Sequence, residues 1–244
     1  MINKNRVIAA EEKSEGEGAL VNRLFPTAEI NHLDPFVLLD EFQVEPPNSF
    51  AEHGHRGFEA VSYILEGGLK HSDNLDNEAA AEAGELQYFR AGKGIRHSEE
   101  PVGEGLSRGI QLWINLPREL KETSPEYRLI ASENIPLQEK PGLRIKTILG
   151  PGAPLEVSAD VIMQDVELSR EETFNLQLSD RHQGLIFVIS GELQGQKKVA
   201  RHQGYLLAPA AGCELKSTAE SSRFIVLIGE PLEQEIKIEG GAVL

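Results

Sequence analysis

Apolar and polar residues in this chain follow the period of strands. Residues 109–117 alternate, with Ile110, Leu112 and Ile114 set against Gln111 and Asn115, which predicts a half-buried strand. Residues 174–178 (Phe174-Asn175-Leu176-Gln177-Leu178) do the same. Residues 61–65, 185–189 and 224–228 are continuous apolar runs rich in β-branched and aromatic side chains. A glycine closes each run soon after, so these read as strands covered on both faces. Helical signal is weak: its best candidate follows Ser124-Pro125 and runs through Glu126-Tyr127-Arg128-Leu129, with proline at a first-turn position. The fold class is all-β, with one or a few short helices.

A repeat runs through these strands. Leu65-Glu66-Gly67-Gly68-Leu69 matches Ile189-Ser190-Gly191-Glu192-Leu193, and the segment from Gly84-Glu85-Leu86 to Ala91-Gly92 matches that from Gly204-Tyr205-Leu206 to Ala211-Gly212. The strand ending at Pro117 matches the one ending at Pro231. Three anchors in one order, offset by 114–124 residues, indicate two copies of a small β-barrel. The expected domains are residues 1–130 and 131–244. The Pro- and Gly-rich stretch 149–154 lies between the matched segments and is a candidate for part of the connection.

Composition narrows the function. The 244 residues include 24 Lys plus Arg against 39 Asp plus Glu, a net charge of −15. A sequence pI near 4.9 argues against direct nucleic-acid binding, which needs clustered cations to neutralise phosphates, and the longest basic cluster is Lys197-Lys198. One cysteine, Cys213, excludes an internal disulfide framework and a Cys-rich zinc site. No run approaches the ~20 apolar residues of a membrane span, and the N-terminus lacks a secretory apolar stretch. The chain reads as cytoplasmic, with no membrane partner.

Three of the seven histidines stand in two compact motifs, His53-Gly54-His55 and His97-Ser98-Glu99. On a strand, residues i and i+2 share a face. His53 and His55 can therefore project together from one strand, and His97 and Glu99 from another. Three nitrogens and a carboxylate oxygen converging in this way suit one divalent first-row metal and leave two octahedral positions open. His32, His71, His182 and His202 lack a partner at that spacing and read as solvated or structural. Gly105-Leu106-Ser107-Arg108-Gly109 matches the pattern of a hydrolase nucleophile, but it follows a loop and opens a strand, the wrong context for that elbow. Cys213 has no basic neighbour in sequence to activate it and reads as a packed, inert thiol. The acidic stretch 76–82 reads as a solvated loop.

From about Ser14 to Pro231 the sequence resembles the pirins, a family of the cupin superfamily. The resemblance is carried by Leu33-Asp34-Pro35-Phe36-Val37-Leu38-Leu39-Asp40-Glu41-Phe42, by His53-Gly54-His55-Arg56-Gly57-Phe58-Glu59, by Ala91-Gly92-Lys93-Gly94-Ile95-Arg96-His97-Ser98-Glu99, and by Gln111-Leu112-Trp113-Ile114-Asn115-Leu116. It implies two jelly-roll barrels, with one mononuclear metal in the N-terminal barrel held by His53, His55, His97 and Glu99. It also implies a metal-free C-terminal barrel. Glu59, at the ligand position of many other cupins, is then left a supporting role. The family's paired histidines usually flank a proline; here Gly54 stands between them.

The resemblance implies two rival functions. One is a quercetin 2,3-dioxygenase-like oxidoreductase, which opens a flavonol ring with O₂ and releases CO. In that reading Glu99 is the catalytic base, and the partners are a small phenolic substrate and O₂. The other is a non-enzymatic, metal-dependent regulator of transcription or metabolism that senses iron or redox state through a protein partner. Fe(II) is the first expectation for the metal, with Mn, Co, Ni, Cu or Zn as alternatives, and a monomer is the expected state.

Overall fold

The structure, a computed structural model, describes residue 2 and residues 4–244. It divides into two compact units, one of residues 11–134 with 232–244, the other of residues 1–10 with 135–231.

The first unit pairs a seven-stranded antiparallel sheet with a four-stranded one. In the large sheet the order is Glu11–Glu15, Ala19–Phe25, Phe36–Val44, Ser107–Asn115, Phe58–Glu66, Leu86–Arg90 and Glu126–Ile130. In the small sheet it is Phe50–His55, Ile95–Pro101, Gly68–Asp73 and Glu78–Glu82. The second unit has the same order: a large sheet of Leu137–Lys140, Leu143–Leu149, Val161–Ser169, Ser221–Gly229, Gln183–Ser190, Gln203–Leu207 and Arg6–Ala9, and a small sheet of Thr173–Gln177, Gly212–Ser217, Glu192–Gln194 and Lys198–Ala200. The expected pair of barrels is present. Gly67 and Gly191, both repeat anchors, hold the same turn with φ of +67° and +76°, a region that favours glycine.

Side chains from both sheets close each core. In the second unit Val166, Ile186, Phe224 and Val226 of the large sheet meet Leu193, Val199 and Leu215 of the small one. In the first, Phe58, Phe89 and Trp113 pack with Ile95, and a second cluster joins Phe42 and Ile64 to Leu69 and Ala81.

Residues 78–82 of the acidic stretch are a strand paired with Gly68 to Ser72 rather than a loop, and four further details differ from the sequence reading. Residues 126–130 form a strand rather than a helix: Glu126 to Ile130 pair with Arg90 to Leu86 along the sheet edge, and Pro125 precedes that strand instead of opening a helix. The only helical turns among the described residues are Arg118–Leu120 and Ser132–Asn134, both 3₁₀. Residues 109–117 are not half-buried, because strand Ser107–Asn115 sits between Phe36–Val44 and Phe58–Glu66, and Leu112, Trp113 and Ile114 are all buried. Residues 150–154 lie within the second unit, after strand Leu143–Leu149, not at the join.

The fourth is the domain boundary, where both chain ends depart from 1–130 and 131–244. Arg6–Ala9 pairs with Leu206 to Gln203 and takes in the second unit the edge position that Glu126–Ile130 takes in the first. At the other end, hairpin Ile238–Glu239/Ala242–Val243 belongs to the first unit, where Val243 is fully buried beside Phe58 and Trp113. Among the described residues no helix is long and apolar enough to cross a membrane.

Candidate metal centre

Register brings the two histidine motifs together. Strand Ile95–Pro101 lies between Phe50–His55 and Gly68–Asp73, with His97 opposite His53 on one side and Asp73 on the other. Glu99 stands opposite Phe50 and His71, and a bulge interrupts the pairing with Phe50–His55 between His97 and Glu99. Strand parity therefore puts His53, His55, His97, Glu99, His71 and Asp73 on one face of the four-stranded sheet.

That face forms two overlapping clusters. Potential donor atoms of His53, His55 and His97 lie within 4.8 Å of one another, as do those of His71, His97 and Glu99. His97 belongs to both. His97 Nε2 is 3.2 Å from His53 Nε2, and its Nδ1 is 3.2 Å from His71 Nδ1. His71 Nε2 is in turn 3.0 Å from Asp73 Oδ2.

Aromatic side chains pack against three of these rings. His55 stacks on Phe89 at 5.6 Å and meets the Trp113 edge at 5.0 Å. His97 touches Phe89 at 4.9 Å, and His71 stacks on Tyr127 at 4.3 Å. Burial is the first cause of each shift in proton affinity. It pushes His55 down to about 3, with neighbouring His53 adding to the effect, and drives His97 far below the ordinary histidine range, with His55, His53 and His71 adding to the effect. It pushes Glu99 up to about 7, partly offset by a hydrogen bond with the Gln111 side chain. The buried rings are neutral, and each keeps one lone pair.

Backbone carbonyls fix where two of those lone pairs point. His53 Nδ1 donates to the Ala51 carbonyl at 2.7 Å, and His55 Nδ1 donates to the Gly241 carbonyl at 3.2 Å. Nε2 is then the nitrogen that each ring has left to offer a cation. Imidazole nitrogens gathered this closely, beside a buried carboxyl group, form a donor set that a divalent first-row cation fits.

The other sequence candidates fall outside this face. Glu59 is buried and its Oε1 accepts from Tyr88 Oη at 2.8 Å. Ser107 is buried at the start of its strand and its Oγ donates to the Gly68 carbonyl, a structural role. Cys213 sits half-buried, its thiol pushed up to about 11 by burial. His32, His182 and His202 are partly exposed. His71 is the correction: it is fully buried and touches His97, so it is not solvated. His71-Ser72-Asp73 repeats the i, i+2 spacing of the other two motifs, and that was the signal that could have drawn it in.

Comparison with known proteins settles the family. A family model described as pirin matches residues 18–114, and one described as the pirin C-terminal cupin domain matches residues 163–244. The chain is 34% identical to mouse pirin over 97% of its own length and 86% of that protein. The chain belongs to the pirin family. A bacterial relative, the pirin-like protein of Caulobacter vibrioides, is 31% identical over 98% of this chain and 91% of its own. Among solved structures, quercetin 2,3-dioxygenase from Acinetobacter baumannii superposes with a TM-score of 0.90 at 25% identity, covering 98% of this chain and 90% of that one. The bacterial pirin YhhW from Escherichia coli, in complex with nickel(II), gives 0.78 at 20% identity over 93% of this pirin chain and all of that one, a likeness of fold.

Proposed function

We propose that this pirin-family chain is a metal-dependent dioxygenase acting on a flavonol, with His53, His55, His97 and Glu99 as the ligands of one divalent cation. The observation that carries this reading is the convergence of three imidazoles beside a cavity of about 580 Å³ to which His53 and His55 contribute. That volume suits a ligand of a few fused rings. The likeness to the Acinetobacter baumannii quercetin 2,3-dioxygenase supports the substrate class.

The cavity offers what a flat phenolic ligand needs. Val37, Leu38, Phe42, Phe50 and Trp113 provide apolar walls. Polar groups line it too: Glu15, Glu17, Glu52, Gln111 and the Arg23–Asp40 pair, in which Arg23 donates from Nε and Nη2 at 2.9 and 2.7 Å.

When bound, the cation would act as a Lewis acid that lowers the pKa of the flavonol 3-hydroxyl. Glu99 would be the base for that proton, and the apolar walls would hold the ring flat. Fe(II) is our first candidate for the cation, acting in a monomer in the cytoplasm.

The test is an aerobic assay. Metal-loaded protein should bleach quercetin with matching O₂ uptake and CO release, and His97→Ala should abolish all three. Metal-dependent capture of a protein partner with no flavonol consumption would favour a regulatory pirin instead.

A further inference from the structure

We propose that Asp73 and His71 are positioning residues that hold the proton of His97 on Nδ1 and so turn its Nε2 lone pair toward His53 and His55. The inference rests on the metal-centre reading for its purpose, although the proton placement stands on hydrogen bonds alone.

The chain of reasoning starts at Asp73. Its Oδ1 accepts from the Leu75 amide at 2.8 Å, the Asn77 amide at 3.1 Å and Asn77 Nδ2 at 3.1 Å, and its Oδ2 accepts from Asn77 Nδ2 at 2.9 Å. Four N–H contacts from Leu75 and Asn77 converge on this carboxyl, the hydrogen-bond set of an ionised carboxylate. An ionised carboxylate only accepts, so the atom 3.0 Å from Oδ2, His71 Nε2, must carry a hydrogen.

That assignment propagates. His71 is fully buried, and a ring that donates from Nε2 has Nδ1 left as its acceptor. That Nδ1 faces His97 Nδ1 at 3.2 Å. Two lone pairs at that distance repel, so His97 Nδ1 carries the hydrogen and donates it. His97 Nε2 is then left to face His53 Nε2 at 3.2 Å, where both nitrogens would be available to one cation. The reverse assignment would put the His71 lone pair 3.0 Å from a carboxylate oxygen.

The geometry holds this arrangement in place. Tyr127 covers the His71 ring with planes 15° apart, and the ladder fixes Asp73 opposite His97. Carbonyls do the same job for His53 and His55. The third ring alone has a side-chain relay ending in a negative charge, which also strengthens His97 as a donor.

The experiment reads imidazole protons directly in uniformly ¹⁵N-labelled, metal-free protein by two-bond ¹⁵N–¹H correlation. Ni(II) competition titrations then give affinity and stoichiometry. Wild type should show His97 protonated at Nδ1 and bind one Ni(II) per chain. In Asp73→Asn the amide can turn its NH₂ toward His71, which sends the proton to His71 Nδ1 and reverses His97. That variant should show His97 protonated at Nε2 and bind Ni(II) about 10–100-fold more weakly, with the His53 and His55 tautomers unchanged.

His71→Gln supplies an amide oxygen that can accept from His97 Nδ1 and should recover most of the affinity, whereas His71→Leu should not. His97 protonated at Nε2 in the wild type would overturn the proposal even if every variant failed to fold. So would unchanged tautomer and affinity in both Asp73→Asn and His71→Leu, or two Ni(II) per chain with His97 bridging them. A wild type with the stated tautomer but no Ni(II) binding would reject the metal centre while leaving the proton placement intact.

Discussion

The Gly241 carbonyl accepts the Nδ1 hydrogen of His55 at 3.2 Å, across 186 residues of sequence. The same short hairpin is bound to the His55 strand by its backbone: Arg56 N donates to the Gly241 carbonyl at 3.2 Å, and Val243 N donates to the Arg56 carbonyl at 2.9 Å. Lys121 Nζ ties it further by donating to the carbonyls of Gly57 and Val243 and to Asn115 Oδ1. The C-terminal hairpin thus orients a proposed ligand from behind.

A methyl group at position 241 tests that contact. It would meet the Gly54 carbonyl oxygen well inside contact distance and press on His55 Nδ1. Gly241→Ala should therefore push the hairpin away and weaken metal binding about 10–100-fold, the usual cost of losing a partner behind a ligand. Metal titration followed by thermal unfolding checks this, because the loss of affinity should exceed any loss of stability. Unchanged affinity would mean that Gly241 does not orient His55.

Two buried acids are separated by their neighbours. Glu99 belongs to the cluster with His97 and His71, whereas Glu59 is spent on the Tyr88 hydroxyl. Glu99→Gln should lower metal affinity by more than about tenfold, since even outer partners of a ligand account for 10–100-fold. Glu59→Gln keeps an acceptor for Tyr88 and should leave metal content unchanged. Elemental analysis of the two purified variants decides between them, and the opposite ranking would assign the carboxylate to Glu59.

The N-terminal strand should contribute to the second unit. Val7, opposite Tyr205, packs its half-buried side chain against the core that contains Ile186 and Phe224. Val7→Ala removes two half-buried methyl groups and should cost about 0.5–1 kcal/mol in denaturant unfolding. A cost near zero would mean that Arg6–Ala9 adds little to that core.

Cys213 should be slow to react. Burial raises its thiol from the ordinary 9.0 to about 11, partly offset by a backbone hydrogen bond with Leu176. Only the thiolate attacks, so at pH 8 a shift of that size leaves about 100-fold less of it. Alkylation by iodoacetamide should be correspondingly slow in native protein and accelerate as pH rises toward 11. Fast modification at pH 8 would refute this.

The legible part of the fold and site was that governed by short-range periodicity. Parity alone placed His53 with His55 and His97 with Glu99 on one sheet face, and the Gly-closed apolar runs marked the central strands of both units. Partners far away in sequence were not legible. His71 carries its own i+2 carboxylate, yet its importance comes from strand Gly68–Asp73 lying beside Ile95–Pro101, 26 residues on. Gly241 acts through a carbonyl, which every residue owns. Arg6–Ala9 and Glu126–Ile130 are edge strands of four and five residues, too short for a period to show, and Pro125 fits a strand's approach as well as a helix's first turn.

The count of bound metal most directly tests the account. Apo protein reconstituted with excess Ni(II), freed of loose ion and measured by elemental analysis, should hold one equivalent per chain. His53→Ala, His55→Ala and His97→Ala should each hold close to none while remaining folded by circular dichroism. A full equivalent retained in all three variants would contradict the account, because the cation would then be bound away from the His-bearing sheet.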